Sequence, residues 1–410
     1  MTGPGRDSRT GAPTRKGTTV TASLYTPDSS VNRRRFLGGA ALVGGATLLG
    51  GCGSPEAEDN SSDAGDSRPP IEDESGELSI LEWGGYEAAG TKAQSYGLVA
   101  GTDYTKDYGG DDISYTYINT DEQALQKATS DNAFDLMHPC SDTMPKYVER
   151  GLIQPFDPEL LPSYGDLNPF LLEATQIDGK QYMIPWDWGF SSLLYRSDVV
   201  DAADATGWEL AWNEKYADQI SLWSGASSNF QLTGLLLGFD DIYNPTDEQI
   251  QQAKEKLIEQ KPLNKFYWDS EYGQMRPAFR SGTISITYSW QAAYASFADK
   301  GMPVEYMSPS QGRIAWVCGF VIGANTENYY HAHDYVESFI NKKASENLVN
   351  LYYYGAANTA IDINKIDNQT LVDSLQLDDP EAVAGDDVHL ARYMPNSSAI
   401  ELAWSEVVAS

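Results

Sequence analysis

Three residues of the chain could bind a soft metal ion if the fold brought them together. His138 and Cys140 are separated by one proline in the run HPC, and Cys318 follows far along the chain. Imidazole nitrogen and thiolate sulfur are ligands that suit zinc and copper in proteins. An isolated thiol in an apolar strand is more often a packing residue, so metal binding is the weaker interpretation. The pair His331 and His333 lies in a polar helical stretch and is expected on a solvated face.

The sequence contains none of the common catalytic signatures. It has no GxGxxG or Walker loop for nucleotides, no HExxH pair for a hydrolytic zinc ion and no GxSxG nucleophile turn. Catalysis therefore has no positive support in the sequence. We predict that the protein is not an enzyme and that it uses no cofactor.

Tryptophan and tyrosine are concentrated near the ends of apolar, strand-like runs. Each of them alone is best interpreted as a core residue. Ligand clefts of open α/β sheets lie at the carboxyl ends of strands, however, and here the aromatic residues stand beside Gly, Asp and Ser. Together they predict the walls of a small-molecule cleft. The runs concerned are LEWGGYE, IPWDWGF with Trp188, ISLWSG, FYWDSEYG, ITYSW and IAWV.

Short apolar runs alternate with helix-like runs of roughly 10 to 15 residues, which indicates an α/β protein with parallel sheets. Capping patterns predict helix starts at Thr120 with Gln123 and at Thr246 with Gln249, and SDTMPKYVERG predicts a capped helix that ends on Gly151. A chain of 410 residues exceeds what one core usually supports, so two lobes are expected. No repeat and no second linker appear, which predicts that the lobes are interwoven.

The chain is strongly acidic, with a formal net charge of −31 at pH 7. Such a surface repels phosphates, which argues against nucleic acid and anionic lipid headgroups as partners. Acidic side chains spread along the whole sequence are typical of a protein kept soluble in high salt. A halophilic source is one interpretation of this composition, and an acidic secreted protein of a mesophile is the other.

The N-terminal region carries two independent export patterns in NRRRFLGGAALVGGATLLGGC. Arg33 and Arg34 belong to a twin-arginine pattern, and LGGC at Cys52 fits the lipobox of lipoproteins. The apolar run between them is rich in glycine and shorter than the about 20 residues of a membrane span, so an ordinary membrane anchor is the weaker alternative. We predict that residues 1–51 are a cleaved signal, that Cys52 is lipidated on the outer face of the cytoplasmic membrane, and that residues 52–77 form a disordered acidic tether.

Five runs of the sequence resemble the solute-binding proteins of polyamine ABC importers, in the same order along the chain. They are LEWGGYEAAG, AFDLMHPCSDTMPKYVERGLIQPFDPELLP, GKQYMIPWDWGFSSLLYRSDVV, GRIAWVCGFVIGANTEN and NSSAIELAWSEVV. The resemblance implies the periplasmic-binding-protein type II fold, in which two lobes with mostly parallel sheets and flanking helices enclose a ligand cleft. Lobe one would comprise residues 78–187 and 318–358, and lobe two residues 188–317 and 359–410.

The resemblance also implies a function. A member of this family would bind spermidine, putrescine or a related small amine by closing its cleft. It would act as a monomer and deliver the ligand to an ABC permease with a cytoplasmic ATPase. The lipid and the tether would then hold the receptor close to that permease.

Ligand contacts in this family come from aromatic rings that stack on the methylene chain and from carboxylates that hold the ammonium groups. The aromatic positions are matched here by Trp83, Tyr86, Trp290, Trp316 and Tyr354.

The carboxylates of the family are not matched. Two of them fall on Gly225 and Ser228, a third falls on Cys318, and a tyrosine of the first lobe falls at or near Asp142. A buried ammonium without a counter-charge costs several kcal/mol, whereas a cation–π contact contributes only about 0.5 to 2 kcal/mol. Either other acids substitute or the ligand is not a polyamine. The nearest candidate acids are Glu82, Asp142, Asp187 and Asp269, which could otherwise be a helix cap in the case of Asp142 and solvated rim residues in the other cases.

A different kind of ligand would suit the run SGASSNF, which contains Ser228. Free backbone N–H groups and hydroxyls ahead of an apolar helix can receive a carboxylate, a phosphonate or a sulfonate. The alternative is therefore an importer receptor for a ligand with an anionic head, such as an amino acid, a betaine-like compound or an organophosphonate. An ordinary strand-to-helix turn with a serine cap is an equally good interpretation of this run.

Overall fold

The computed structural model describes residues 73–83, 113–118, 121–131, 134–269 and 272–410. The export patterns, the lipidation site at Cys52, most of the tether, Tyr86 and Thr120 lie outside the described residues. Within these ranges no helix is long and apolar enough to span a membrane.

The described chain alternates short strands with helices, as the sequence predicts. The strands are β1 (Leu78–Trp83), β2 (Ile113–Ile118), β3 (Leu136–Met137), β4 (Ile153–Gln154), β5 (Gln176–Ile177), β6 (Lys180–Gln181), β7 (Ile184–Arg196), β8 (Ile220–Trp223), β9 (Asn264–Trp268), β10 (Ile286–Trp290), β11 (Val304–Tyr306), β12 (Arg313–Gly323), β13 (Gly355–Ala356) and β14 (Val388–Leu390). The helices are α1 (Asp121–Asp131), α2 (Met144–Glu149), α3 (Pro169–Ala174), α4 (Ala226–Leu237), α5 (Asp247–Gln260), α6 (Met275–Ser281), α7 (Gln291–Ala298), α8 (Tyr329–Ile340), α9 (Lys342–Tyr352), α10 (Gln369–Leu375) and α11 (Ser397–Ala409).

The main sheet has the strand order β2-β1-β3-β12-β7-β10-β8-β9. Strand β1 runs parallel to β2 and β3, and we call β1, β2 and β3 together the first strand group. Strand β8 runs parallel to β9 and β10, and we call β8, β9 and β10 together the second strand group. The long strands β7 and β12 lie antiparallel between the two groups and connect them, and we call them the crossover strands. Two sets of parallel strands are thus joined through one antiparallel pair.

The crossover strand β7 is packed on both faces. Every residue of β7 except Arg196 is buried, in keeping with its nearly continuous apolar sequence. Successive side chains of a strand point to opposite faces, so Trp188 and Phe190 share one face while Asp187 and Gly189 share the other. This alternation decides which residues of β7 can line a cleft.

The predicted helix caps are only partly made. At α5 the Gln249 N–H donates to Thr246 Oγ1 at 3.2 Å, and the Thr246 N–H donates to Gln249 Oε1 at 2.8 Å, which confirms the capping box. Helix α2 follows Thr143, whose side chain makes no cap hydrogen bond, so the predicted cap is not made by this residue. The chain leaves α2 through Gly151, whose φ of 63° is a left-handed value that glycine adopts readily.

The paired histidines of α8 are not on a solvated face, and that prediction is wrong. His331 is 7% exposed and His333 is 1% exposed. The Nδ1 of His333 is 2.8 Å from the Tyr329 carbonyl, and its Nε2 accepts from the Asp157 N–H at 3.0 Å. Because both ring nitrogens of His333 have backbone partners, this polar side chain can be buried without penalty.

Apolar cores lie on both sides of the crossover strands. Leu78 belongs to one of these cores, and Leu222 with Trp404 belongs to another. Helix α11 packs against α4 and α5 on the side of the second strand group. Leu371 packs into the same core as Leu78, so part of the C-terminal region lies with the first strand group. The division of the chain between two lobes at the residue numbers given above remains a prediction.

Candidate functional site

The three parallel strands of the second strand group all end on tryptophan. Trp223, Trp268 and Trp290 are the last residues of β8, β9 and β10. The carboxyl ends of parallel strands meet at the same edge of a sheet, so the three indoles come together there. The ring centroids of Trp223 and Trp268 are 4.6 Å apart, and Trp290 lies 5.5 Å from each of them.

Tyr272 and Arg276 extend this group from the segment that follows β9. The Tyr272 ring stacks on Trp268 and meets Trp290 edge-on, with centroids 5.5 Å apart in both cases. The Arg276 guanidinium lies over the Tyr272 ring, with its central carbon 4.4 Å from the centroid. This cation–π contact places a positive charge directly beside the aromatic rings.

Trp316 on the crossover strand β12 and Tyr354 just before β13 join the same group. Trp316 on β12 pairs with Gly189 on β7, and a Cβ at position 189 would lie 2.7 Å from the Trp316 indole. Tyr354 packs edge-on against Trp316 at 5.0 Å, and its hydroxyl is close enough to Tyr272 to be influenced by it electrostatically. Burial raises the pKa of Tyr354 well above its ordinary value, so this phenol keeps its proton at neutral pH.

We call these six rings the aromatic site, comprising Trp223, Trp268, Tyr272, Trp290, Trp316 and Tyr354. Trp268 and Tyr272 are buried, and the other four rings are partly exposed. Partly exposed rings supported by buried ones form a rigid apolar surface on which a ligand chain can stack.

The two other predicted tryptophans lie elsewhere. Trp83, at the end of β1, is partly exposed, and its indole N–H donates to the His138 carbonyl at 2.7 Å. Trp188 is 5% exposed, and its indole N–H donates to the Ala356 carbonyl at 3.0 Å. It points away from the face of β7 that carries Gly189 and the aromatic site. The structure therefore makes Trp188 a core residue.

Cys140 and Cys318 form a disulfide. The bond joins the segment after β3 to the crossover strand β12, across 178 residues of sequence. Disulfide sulfurs cannot act as thiolate ligands, so the metal-binding alternative built on His138, Cys140 and Cys318 is wrong. Elsewhere in the described ranges no group of three His, Cys, Asp or Glu side chains is arranged to hold a metal ion.

Glu82 and Asp187 are buried on either side of His138. The sequence suggests these two acids as ligand carboxylates or as solvated rim residues. The Nδ1 of His138 is 2.8 Å from Glu82 Oε1, and its Nε2 is 3.2 Å from Asp187 Oδ1. The rings of Trp186 and Phe320 flank the imidazole, with each centroid 5.1 Å away. We call Glu82, His138 and Asp187 the buried triad. The rim interpretation is wrong for both carboxylates.

The buried triad retains a proton at neutral pH. Burial by itself would lower the pKa of His138, but the attraction of Glu82 and the hydrogen bonds to both carboxylates outweigh it and raise the pKa to about 10. Burial also raises the pKa of the Glu82 carboxyl above its ordinary value. The imidazolium thus contacts one oxygen of each carboxylate, while Glu82 Oε2 is buried without a partner in the described chain.

The remaining candidate acids lie at the margins of the site. Asp142 is partly buried and close enough to Tyr243 to act on it electrostatically. The neighbouring Ser141 hydroxyl donates to the Ala391 carbonyl at 3.2 Å, so this loop after β3 contacts the C-terminal region. Asp269 follows β9 directly and is exposed.

Ser228 lies at the start of helix α4. This helix begins after Gly225 without a side-chain cap, so the serine-cap interpretation is wrong. The Ser228 side chain lies near the buried Tyr288 and counteracts the burial that raises the pKa of this tyrosine. The Asn229 amide ties the start of the helix instead, donating to the carbonyls of Trp223 and Gly225 at 2.7 and 2.8 Å.

A groove of about 1220 Å³ lies on the opposite face of the crossover strands, where Phe190 and Arg313 line it. The Nε of Arg313 is 3.4 Å from Asp387 Oδ2, and another guanidinium nitrogen donates to Gln376 Oε1 at 3.1 Å. The charge of this arginine is thus already balanced. None of the six rings of the aromatic site lines this groove.

Sequence reasoning missed several residues of the site. Trp223, Trp268 and Tyr272 stood inside aromatic runs that were noted, yet none of them was singled out. Arg276 was missed entirely, because nothing in its local sequence distinguishes it from a surface arginine.

Comparison with known proteins identifies relatives of this chain. The spermidine/putrescine-binding periplasmic protein of Salmonella typhimurium is 28% identical over 229 residues, which cover 55% of this chain and 64% of the relative. The putrescine/agmatine-binding protein of Pseudomonas aeruginosa is 24% identical over 210 residues, which cover 47% of this chain and 56% of the relative. The chain thus matches less than two thirds of the length of these curated relatives.

A solved structure confirms the predicted fold. The spermidine/putrescine ABC transporter substrate-binding protein of Streptococcus pneumoniae is similar with a TM-score of 0.63 at 18% identity, covering 81% of this chain and 97% of that one. The predicted two-lobed α/β fold is thereby confirmed. The relatives are solute-binding proteins and not enzymes, as the sequence predicts for this chain. The family of bacterial extracellular solute-binding proteins matches residues 99–370, about two thirds of the sequence, and the protein belongs to this family.

Proposed function

We propose that this protein is the exported receptor of an ABC importer and that it binds a small organic amine at the aromatic site. The observation that carries the proposal is the convergence of three strand-end tryptophans with Trp316 and Tyr354 from the crossover region. A ligand in contact with these rings would touch both the second strand group and the strands that connect it to the first.

The chemistry of the site suits an alkyl amine. Aromatic faces stack on methylene chains and attract cations through their negative π faces. Relatives described as spermidine/putrescine-binding and putrescine/agmatine-binding proteins support the same class of ligand. Spermidine, putrescine and agmatine are therefore the first compounds to test.

Ligand binding would close the cleft by a population shift. The lobes would comprise residues 78–187 with 318–358 and residues 188–317 with 359–410, and β7 and β12 would act as the hinge between them. Contacts of one ligand with both lobes favour the closed form, which the permease would recognise. The contact of Ser141 with Ala391 shows one place where the loop after β3 meets the C-terminal region.

The location of the receptor follows from the N-terminal patterns. The twin-arginine pair Arg33 and Arg34 would direct export, and a lipid on Cys52 would anchor a monomer to the outer face of the cytoplasmic membrane. The acidic tether 52–77 would let the receptor turn while keeping it near a permease with a cytoplasmic ATPase.

Calorimetric titration tests the proposal. Putrescine, spermidine, agmatine and their amino-acid analogues are titrated into the protein in high salt. We expect at least one of them to bind, and we expect Trp290→Ala to weaken that binding by about 10-fold to 100-fold, because the ring lies at the centre of the aromatic site.

Trp212→Ala is the matched control. Trp212 is also partly exposed, but its indole donates to the Lys256 carbonyl at 2.8 Å and it lies outside the aromatic site. Absence of binding for the whole panel, or an equal loss of binding in the two variants, contradicts the proposed function.

A further inference from the structure

We propose that the ligand of the aromatic site carries an oxyanion in addition to its cationic amine, and that Arg276 receives this oxyanion. The inference rests on the proposed function and names the chemical class of the ligand more closely. The class is that of short amino or guanidino acids, in which an apolar chain separates a positive end from a carboxylate.

The first support is the position of Arg276. Its guanidinium lies over Tyr272 beside the aromatic site, and its Nε is buried without a hydrogen-bond partner among the described residues. Within the described chain no carboxylate forms an ion pair with it. A partly buried positive charge with an unsatisfied donor is costly unless another molecule supplies the acceptor. Arg313, on the opposite face of the crossover strands, also has an Nε without a hydrogen-bond partner in the described chain, but it differs in forming an ion pair with Asp387.

The second support is the polarity of the other unsatisfied groups. Gln291 Nε2, Trp268 Nε1 and Trp316 Nε1 are all donors, and in the described part of the chain each of them is buried without an acceptor. Trp268 contacts Tyr272, while Gln291 and Trp316 both approach Gly189. Ammonium groups only donate, so they cannot satisfy donors, whereas carboxylate oxygens only accept. The unsatisfied donors around the aromatic site therefore favour a ligand with oxyanion character.

The third support is the position of the acids. Cys318 is closed in a disulfide, and Glu82 and Asp187 are engaged by His138. A ligand with two positive ends would thus place one of them beside the positively charged Arg276. Such a ligand carries no carboxylate that Arg276 could bind. A ligand with one positive end needs only one counter-charge.

The ligand end that is cationic has an acceptor in the same region. Asn229 Oδ1 is buried and lacks a donor in the described chain, while the Nδ2 of the same amide is held by the Trp223 carbonyl. An ammonium near Trp223 could donate to this oxygen. The unsatisfied groups of the site thus match a molecule with opposite charges at its two ends better than a diamine.

Matched ligand pairs test this inference. Putrescine is compared with γ-aminobutyrate, and agmatine with γ-guanidinobutyrate, because each pair differs only in replacing one cationic end by a carboxylate. We expect the acid of at least one pair to bind about 10-fold or more tightly than its diamine partner. Arg276→Gln should weaken binding of that acid by about 30-fold or more and change the binding of the diamine far less. Arg276→Glu should reverse the order within the pair.

Arg280→Gln is the matched control, because Arg280 lies on the same helix α6 and is exposed. Circular dichroism and the melting temperature establish that each variant is folded before binding is compared. If Arg276→Gln and Arg280→Gln behave alike, or if the diamine binds as tightly as the acid, the inference is overturned while the proposed function stands. If no member of either pair binds the native protein, the proposed function and the inference both fail.

Discussion

The buried triad and the aromatic site lie next to each other on the crossover region, yet they treat polar groups in opposite ways. In the buried triad the His138 ring nitrogens lie 2.8 and 3.2 Å from two carboxylates, and all three side chains are at most 4% exposed. In the aromatic site four rings are partly exposed, and donors of Trp316 and of the adjacent Arg276 lack acceptors within the described residues.

The difference separates residues that hold the protein together from residues that await a ligand. Charges that satisfy one another inside the protein contribute to a unique structure but leave nothing for a guest molecule. Unsatisfied donors beside exposed rings weaken the free protein and gain partners when a ligand arrives. The crossover region thus borders both a structural cluster and a binding cluster, and substitutions can tell them apart.

The largest effect is expected from breaking the buried triad. His138→Leu leaves Glu82 and Asp187 as buried carboxylates without their counter-charge, which should lower the free energy of unfolding by about 3–5 kcal/mol. Chemical denaturation measures the loss. The triple variant Glu82→Gln, His138→Leu, Asp187→Asn should recover much of it, because no uncompensated charge remains. A single variant as stable as the native protein would show that the triad is not structural.

The next effect concerns the disulfide that links the two regions. Cys140 lies two residues after His138, and Cys318 lies two residues after Trp316, so the bond holds the triad and the aromatic site in register. Replacing both cysteines by serine should lower the free energy of unfolding by about 2–5 kcal/mol, since it releases a loop of 178 residues in the unfolded chain. Reduction of the native protein should give a similar loss, and the double variant should then be insensitive to reductant.

A smaller effect, on binding rather than on stability, is expected at Gly189. Its Cβ would lie 2.7 Å from the Trp316 ring and 3.2 Å from Gln291 Oε1, so Gly189→Ala must displace the indole. Ligand affinity should fall by about 10-fold, equivalent to about 1.4 kcal/mol. Gly165→Ala is the control, because a Cβ there meets nothing within 4 Å. Equal affinities for the two variants would show that the position of Trp316 does not matter for binding.

The most gradual effect is the pH dependence of stability. The folded protein raises the pKa of His138 to about 10, whereas an unfolded histidine titrates near 6.5. The stabilisation is therefore fully present below pH of about 6.5 and is lost as the pH rises towards about 10. The melting temperature should fall across this window, and His138→Gln should remove this part of the fall. Ligand affinity should vary less, since the Tyr354 hydroxyl of the aromatic site stays protonated throughout it.

Local patterns predicted the positions of the binding rings well. Trp290 ends an apolar run, and the same rule applies to Trp223 and Trp268, so their convergence follows from parallel pairing alone. It was harder to predict on which face of β7 each side chain lies, because Trp188 and Gly189 are neighbours in one continuously apolar strand. The pairing of Gly189 with Trp316 is needed to show that Gly189, and not Trp188, is oriented towards the aromatic site.

Long-range pairings could not be derived from the sequence. Glu82, His138 and Asp187 come from three different elements, and each alone resembles an ordinary acid or histidine at a strand end. The role inferred for Arg276 depends on the Tyr272 ring and the end of β10, which meet beside it. Such contacts depend on how distant segments pack, which composition and periodicity do not encode.

The clustering of Trp223, Trp268 and Trp290 also gives the molecule an optical signature. Indoles whose centroids are 4.6 to 5.5 Å apart interact when excited by light, so their fluorescence and near-ultraviolet dichroism report on their mutual geometry. A ligand that binds among these indoles changes their mutual geometry and the hydration of the exposed rings. Occupancy can therefore be followed on the native chain by its own emission, without attaching any dye.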